Sequence, residues 1–341
     1  MTTRLRLLVP LLAAALVAGC SSGGDESGTS AAPTSSVTSD STEPASTGAP
    51  TSIADTSSTA APTTTAPTPR WAIGDLTPIG VDGVSPEIVQ REDGTFLLLA
   101  TGQPGGPYSS TDGVTFTADP SFQMPSGADY SLLQAADGTW RLYYVDFQPA
   151  GNVAPGQPPS PNNVIKSVKV ATSNTLGGFG KGLPTGIGQT EPGGAWGVPD
   201  TYTLPDGRTA MIYVDKGSGG EQLMLATSTD GVQFTVEPQP VLTGGYVDPY
   251  VLQLDDDSYL AVLSTGPGRP PQRLHLATSP DGLTWTVDPE PFLTEPGVNY
   301  LDPAAVQVGA DEWLLVITTA VGDPINGRHE LVVTRLTRTV G

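Results

Sequence analysis

One pattern occurs five times in this chain of 341 residues, and the repeat restricts the possible folds more than any other feature. Each copy opens with a short motif rich in Asp and Pro, continues into an apolar stretch, turns at a polar pair, and enters a second apolar stretch. The five opening motifs are Val84-Ser85-Pro86-Glu87, Ala128-Asp129-Tyr130-Ser131, Val198-Pro199-Asp200-Thr201, Val247-Asp248-Pro249-Tyr250 and Leu301-Asp302-Pro303-Ala304. A repeat of this length that consists only of strands predicts a β-propeller with one blade per repeat.

The second half of each repeat predicts two more strands. Asp-Gly turns recur at residues 112–113, 230–231 and 281–282, and Asp-Gly supplies the positive φ that a tight hairpin needs. We therefore predict an all-β fold at residues 71–341, a five-bladed β-propeller with four-stranded antiparallel blades. The last repeat stops after its third strand, and residues 76–80 resemble a blade-ending strand. This N-terminal strand is predicted to close the last blade, which removes an open sheet edge.

Residues 1–20 have the features of a bacterial lipoprotein signal peptide. Two arginines precede an apolar run at residues 7–17 that is too short to span a bilayer. Leu16-Val17-Ala18-Gly19-Cys20 then resembles a lipobox, in which the cysteine is lipidated and becomes the first mature residue. Cys20 is the only cysteine, so we expect a lipid anchor on the extracytoplasmic side of the cell membrane and no other membrane contact. The alternative is an ordinary secretory signal with an incidental cysteine.

The segment between signal and propeller differs from both in composition. Residues 21–70 are almost all Ser, Thr, Ala, Pro and Gly without apolar periodicity, which predicts a disordered tether. From residue 71 onwards, 30 Asp and Glu oppose 12 Lys and Arg, giving a net charge of −18. Nucleic acid partners are excluded because they require Lys and Arg to neutralise phosphates. We expect a monomer whose partner is a glycan or a cell-envelope polysaccharide.

Propeller geometry concentrates the opening motifs at one mouth of the central channel, because the first strand of each blade lines that channel. The candidate catalytic carboxyls are Glu87, Asp129, Asp200, Asp248 and Asp302. Converging carboxylates repel one another, so at least one of them should hold a proton at neutral pH. A protonated acid beside an ionised base is what cleavage of a glycosidic bond requires.

At these motifs the chain resembles the five-bladed furanosidase propellers, which include the arabinanase and β-xylosidase-type glycoside hydrolases of family 43. The resemblance implies a base Asp in the first blade, an Asp in the third that raises the pKa of the acid, an acid Glu in the fourth, and a His near a calcium ion in the fifth. Asp200 fits the third-blade position, and Asp248 stands where the acid belongs. Ser85 stands where the base belongs, and Asp302 where the His belongs.

Because Ser85 and Asp302 differ from the residues of the family at these positions, the resemblance does not assign every role in the site. Asp248 is the candidate acid and Asp200 its modulator, while the base is either Glu87 or Asp129. A calcium ion bound by the carboxylates of the ring is feasible.

Three aromatic residues near the opening motifs, Trp196, Tyr246 and Tyr300, are candidates for stacking on a sugar ring. The two tyrosines can equally pack between blades.

The leading hypothesis is thus a surface-anchored lipoprotein that hydrolyses a glycan with two carboxyls of the ring. The alternatives are a non-catalytic propeller that binds a carbohydrate or another partner at a degenerate site, and a scaffolding module. A sialidase is disfavoured because the Asp-Gly turns are one residue shorter than the sialidase Asp-box. A sialidase also needs an arginine cluster, and the arginines lie away from the opening motifs.

Overall fold

The computed structural model describes residues 70–102, 105–150, 163–217 and 220–339. These ranges contain β-strands and no α-helix, and the strands form five antiparallel sheets. The sheets are the blades of a five-bladed β-propeller, so the predicted fold class is confirmed. None of the described residues belongs to a helix that is long and apolar enough to cross a membrane.

The strands follow one another in the predicted order. Blade 1 contains β3 (Val84–Gln90), β4 (Phe96–Thr101), β5 (Gly106–Ser110) and β6 (Thr117–Ala118). Blade 2 contains β7 (Ala128–Gln134), β8 (Trp140–Pro149), β9 (Val164–Ser173) and β10 (Leu183–Gly188). Blade 3 contains β11 (Gly197–Thr203), β12 (Thr209–Gly217), β13 (Gly220–Ser228) and β14 (Thr235–Val236). Blade 4 contains β15 (Tyr246–Gln253), β16 (Tyr259–Thr265), β17 (Leu274–Ser279) and β18 (Thr286–Val287). Blade 5 contains β19 (Val298–Gly309), β20 (Glu312–Val321), β21 (His329–Thr339), β1 (Arg70–Ile73) and β2 (Thr77–Asp82).

The ring closes in blade 5, where two N-terminal strands pair with the last strand of the chain. β2 is antiparallel to β21 with Thr77 opposite Val333, and β1 extends the pairing with Arg70 opposite Thr339. The predicted closing strand is confirmed, and β1 adds a fifth strand to this blade. The five first strands contact their neighbours in cyclic order, so they surround the central channel.

Each first strand contains a bulge at its opening motif. The pairing register shifts there in all five blades, and the bulged residue has a positive φ of 46–50° although it is not glycine. The five bulged residues are Ser85, Asp129, Val198, Asp248 and Asp302. Non-glycine residues with positive φ are uncommon and their backbone is strained. The tertiary contacts of the ring therefore maintain this conformation in each of the five blades.

The Asp-Gly turns join neighbouring blades. In blade 3 the carboxylate of Asp230 accepts hydrogen bonds from the backbone N–H groups of Val232 and Gln233, at 2.8 and 2.9 Å. The carbonyl of Gly231 in this turn accepts a hydrogen bond of 2.7 Å from the hydroxyl of Tyr143 in blade 2. The turns are therefore structural contacts between blades.

The predicted signal peptide, Cys20 and nearly all of the predicted tether lie outside the described residues.

Candidate functional site

A cavity of about 150 Å³ lies at one mouth of the channel, where the first strands begin. All five bulged residues line it, so it contains the carboxyls of Asp129, Asp248 and Asp302. Much of the remaining wall is apolar and includes Phe147 and Trp196. A cavity of this volume accommodates a molecule of about the size of one six-membered ring.

Glu87 and Asp200 lie one level deeper, two residues further along their strands than the bulge. They border a second space of about 20 Å³ inside the channel, which is room for about one water molecule. The structure thus brings all five predicted carboxyls together around the channel. Only three of them face the cavity at the mouth.

The bulge of blade 3 lies at a residue other than its aspartate. Asp200 was expected at the mouth of the channel together with Asp129, Asp248 and Asp302, but the bulged residue of blade 3 is Val198. Asp200 is instead equivalent to Glu87, two residues beyond the bulge. The sequence did contain a signal, because Val198 precedes a proline just as Asp248 does.

The two carboxyls of the deeper level, Asp200 and Glu87, accept hydrogen bonds from neighbouring blades. Asp200 accepts a hydrogen bond of 2.7 Å through Oδ2 from the N–H of Val251 in blade 4, and one of 3.1 Å through Oδ1 from the hydroxyl of Ser131 in blade 2. Glu87 in blade 1 accepts a hydrogen bond from the N–H of Leu132 in blade 2. Both carboxyls therefore hold neighbouring blades together.

Burial also raises the pKa values of these two carboxyls. Desolvation raises the pKa of Asp200 to about 7, although the N–H of Val251 opposes the shift. Desolvation raises the pKa of Glu87 well above its ordinary value, and the nearby charge of Asp200 raises it further. Glu87 therefore holds its proton to a higher pH than an ordinary glutamate, which makes it a poor candidate for a general base.

In the cavity, Asp248 and Asp302 form a pair with one proton. Burial raises the pKa of Asp248 well above its ordinary value, and the charge of Asp302 adds to the shift. Burial raises the pKa of Asp302 only to about 6, because the N–H of Ser85 and the carboxyl of Asp248 donate hydrogen bonds to it. The bond from Ser85 to Asp302 Oδ2 measures 3.0 Å. Asp248 thus keeps its proton to a higher pH than Asp302 does.

Asp129 lies on the opposite side of Ser85. The pKa of its carboxyl is raised, mainly by desolvation, although hydrogen bonding from Ser85 and Val198 and the positive charge of Lys166 oppose the shift. Lys166 is buried, and its Nζ donates a hydrogen bond of 3.0 Å to the carbonyl of Trp196. The cavity therefore contains two carboxyls in different environments: the pKa of Asp248 is raised well above its ordinary value, whereas the positive charge of Lys166 favours the ionised form of Asp129.

The motif-based predictions missed four polar residues of the cavity: Thr101, Lys166, Gln272 and His329. Lys166 had a sequence signal, because it interrupts the alternating inward-facing valines Val164 and Val168 on β9. Gln272 and His329 lie outside the opening motifs, and nothing in their sequence surroundings points to the channel.

The three predicted aromatic residues separate in the structure. Trp196 lines the cavity. Tyr246 and Tyr300 do not line this cavity, which fits the alternative that the two tyrosines pack between blades. Tyr300 is buried between blades and donates a hydrogen bond of 2.9 Å to Glu295, while Tyr246 contacts His275 edge-on at 5.3 Å between ring centres.

Within the part of the chain that the structure describes, no group of three or more His, Cys, Asp or Glu is arranged to hold a metal ion. The carboxyls of the ring point to their partners in neighbouring blades and do not fit the calcium ion that the sequence made feasible. Calcium therefore enters no step of the mechanism proposed below.

The sequence matches no protein-family model and no curated protein. Solved structures do match. A thermostable family-43 glycoside hydrolase aligns with a TM-score of 0.59 at 14% identity, over 76% of this chain and 94% of the other. An endo-1,4-beta-xylanase from Bacteroides thetaiotaomicron VPI-5482 aligns with a TM-score of 0.55 at 14% identity, over 76% and 92% of the two chains. An endo-1,5-alpha-L-arabinanase from Thermotoga petrophila RKU-1 aligns with a TM-score of 0.51 at 16% identity, over 80% and 75%. At such identities the similarity establishes a shared fold, a propeller like that of glycoside hydrolases.

Proposed function

We propose that this protein hydrolyses glycosidic bonds in the cavity at the mouth of the channel. The observation that carries the proposal is that two carboxyls in different environments line one cavity: Asp248, whose pKa is raised well above its ordinary value, and Asp129, whose ionised form Lys166 favours. Hydrolysis of a glycosidic bond uses one protonated carboxyl and one carboxylate, and these environments suit the two roles. Structural relatives that include a family-43 glycoside hydrolase support the same assignment.

The roles follow from the two environments. Asp248 donates its proton to the glycosidic oxygen while the bond from this oxygen to the anomeric carbon breaks. Asp129 takes a proton from a water molecule whose oxygen bonds to the anomeric carbon. The electron pair of the broken bond stays on the leaving oxygen, so both sugar products are neutral. Asp248 is left ionised and Asp129 protonated, and exchange with solvent restores the starting state.

Asp302 takes the supporting role that the sequence had given to Asp200. The charge of Asp302 and its hydrogen bond to Asp248 favour the protonated form of the acid. Asp200 lies deeper and affects the pKa of Glu87. We therefore assign Asp200 and Glu87 to the contacts between blades.

We further propose that the propeller works on the outer side of the cell membrane. A lipid on Cys20 would hold the protein there, and the tether of residues 21–70 would allow the propeller to move away from the membrane surface. A flexible chain of about 50 residues spans about 40 Å on average, so polysaccharides of the cell envelope are within range.

A second candidate function is the binding of a glycan without cleavage. Ser85 and Val198 occupy bulge positions in blades 1 and 3, and neither side chain can donate or accept a proton as a catalytic acid or base does. In the glycoside hydrolases that the sequence resembles, the first-blade position carries the base. Ser85 at this position therefore favours binding without cleavage.

The test measures the release of reducing sugar by the full chain in detergent from arabinan, xylan, aryl furanosides and aryl pyranosides. Asp248→Asn should lower kcat by about 10²–10⁴-fold because it removes the donated proton. Asp255→Asn on the surface is the matched control and should leave the rate unchanged. Release that survives in Asp248→Asn would refute the assignment of the acid. Saturable binding of one glycan without release would favour the second candidate.

A further inference from the structure

Acidic side chains outnumber basic ones in the wall of the cavity. Asp129, Asp248 and Asp302 line it, against Lys166 and His329, which lies on β21. A negative charge in largely apolar surroundings is costly to bury unless a cation or several hydrogen-bond donors accompany it. Asp302 already accepts hydrogen bonds from the N–H of Ser85 and the carboxyl of Asp248, and a cationic ligand would add a charged donor to these.

Gln272 adds an uncharged acceptor to the same cavity. Its side chain is only 2% exposed and lines the cavity. Its Nε2 donates a hydrogen bond of 2.7 Å to the carbonyl of Thr265, which fixes the orientation of the amide. Among the described residues, no donor is bonded to its Oε1.

A second contact fixes the backbone at this residue. The N–H of Gln272 donates a hydrogen bond of 2.9 Å to Asn299, whose own amide is held by the carbonyls of Ala320 and Gly322. The acceptor of Gln272 is therefore preorganised by blades 4 and 5 before any ligand enters.

The wall of the cavity also suits a cation. Phe147 and Trp196 line it, and aromatic rings attract ammonium groups through their negative faces. The cavity thus combines a carboxylate, a fixed amide oxygen and aromatic rings in a volume of about 150 Å³, the size of one ring.

We propose that this cavity binds an ammonium group carried on a single ring, and that the sugar it takes is therefore an amino sugar with a free amine. The identification of the ring as a sugar rests on the proposed function. The ammonium group donates hydrogen bonds to Asp302 and Gln272, and its positive charge complements the acidic side chains of the cavity.

Titration calorimetry on the full chain in detergent, at pH 7, tests this with two matched pairs of ligands. Cyclohexylammonium is compared with cyclohexanol, and glucosamine with N-acetylglucosamine, which has the same ring without the charge. In each pair the charged ligand should bind roughly 10- to 100-fold more tightly, as expected for a hydrogen bond between charged groups.

Variants of the cavity should remove this preference. Asp302→Asn should bring both members of each pair to similar affinity. Gln272→Met, which is nearly isosteric and lacks the acceptor, should weaken binding of the ammonium ligands by about tenfold and leave cyclohexanol unchanged. Gln253→Met on the exposed part of β15 is the control and should change nothing.

The outcomes separate this inference from the proposed function. Equal affinity within both pairs in the wild type would overturn the inference, even if glycans are cleaved. Binding of cyclohexylammonium without binding of any sugar would keep the ammonium site and refute the glycan. Displacement of the amines by CaCl2, together with tight binding of calcium, would also overturn it, because the site would then be one for an inorganic cation.

Discussion

The pH dependence of folding gives a quantitative test of the buried channel. Asp200 is 5% exposed, and its pKa is about 7, against 3.8 for an ordinary aspartate. Below pH 3.8 its carboxyl is protonated in the native and the unfolded chain alike. Between the two pKa values only the native chain keeps the proton, so the free energy of unfolding falls as the pH rises. About three pH units at about 1.4 kcal/mol each amount to about 4 kcal/mol, lost in full once the pH exceeds about 7.

Asp200→Asn isolates this contribution. The amide is neutral at every pH, and its oxygen can still accept the hydrogen bond from Val251. The free energy of unfolding of the variant should therefore fall by about 4 kcal/mol less than that of the wild type between pH 4 and pH 8. Near pH 8 the variant should be the more stable of the two.

The assay is urea denaturation of the full chain at pH 4, 6 and 8, with Asp255→Asn on the surface as control. Glu87 and Asp302 also have raised pKa values, and they remain in all three proteins. The difference between wild type and Asp200→Asn therefore reports Asp200 together with its effect on the pKa of Glu87. Parallel pH profiles for these two proteins would refute the argument from burial.

Three further predictions concern the fold. Gly113→Ala should lower the free energy of unfolding, measured in urea, by roughly 1–3 kcal/mol, because the added Cβ would lie 2.7 Å from Leu314 Cδ2. The control is Gly94→Ala, which is also at positive φ but has no atom near the added Cβ and should lower the free energy of unfolding by less. Deletion of residues 70–82 removes both strands that pair with β21 and should lower the midpoint of thermal unfolding, whereas an unchanged midpoint would contradict the closure. Tyr250→Phe removes the donor of a 2.7 Å hydrogen bond to a carbonyl of blade 5 and should lower the free energy of unfolding in urea by about 1–3 kcal/mol. An unfolding curve that does not shift would contradict this prediction.

The repeat and the closing strand could be predicted because each depends on local sequence. Asp-Gly turns set the hairpins, and residues 76–80 carry the pattern of a strand that ends a blade. The two levels of the channel could not be predicted in this way. They depend on which residue of each opening motif bulges, and in blade 3 the apolar Val198 does so in place of Asp200.

The cavity itself draws on residues that no single motif connects. Lys166 comes from β9 and Gln272 from the chain before β17, and they meet the opening motifs only because the blades pack in a ring. Tyr300 shows the opposite case. It lies two residues before the pair Asp302-Pro303, but the pleat of β19 directs its side chain between blades.

The contacts of the bulged residues distinguish structural from functional carboxyls. Asp302 accepts the N–H of Ser85, and Asp129 accepts the N–H of Val198, so each satisfies a backbone donor of the next blade. Among the described residues, Asp248 accepts no backbone N–H. Its burial raises its pKa, and Val198 shows that an apolar side chain fits at this position of a blade. Backbone contacts between blades therefore account for Asp129 and Asp302 without any reaction, whereas Asp248 interacts with the side chains of Asp302 and Ser264. Asp248 is thus the bulged carboxyl that the backbone of the fold requires least, which supports its assignment as the acid.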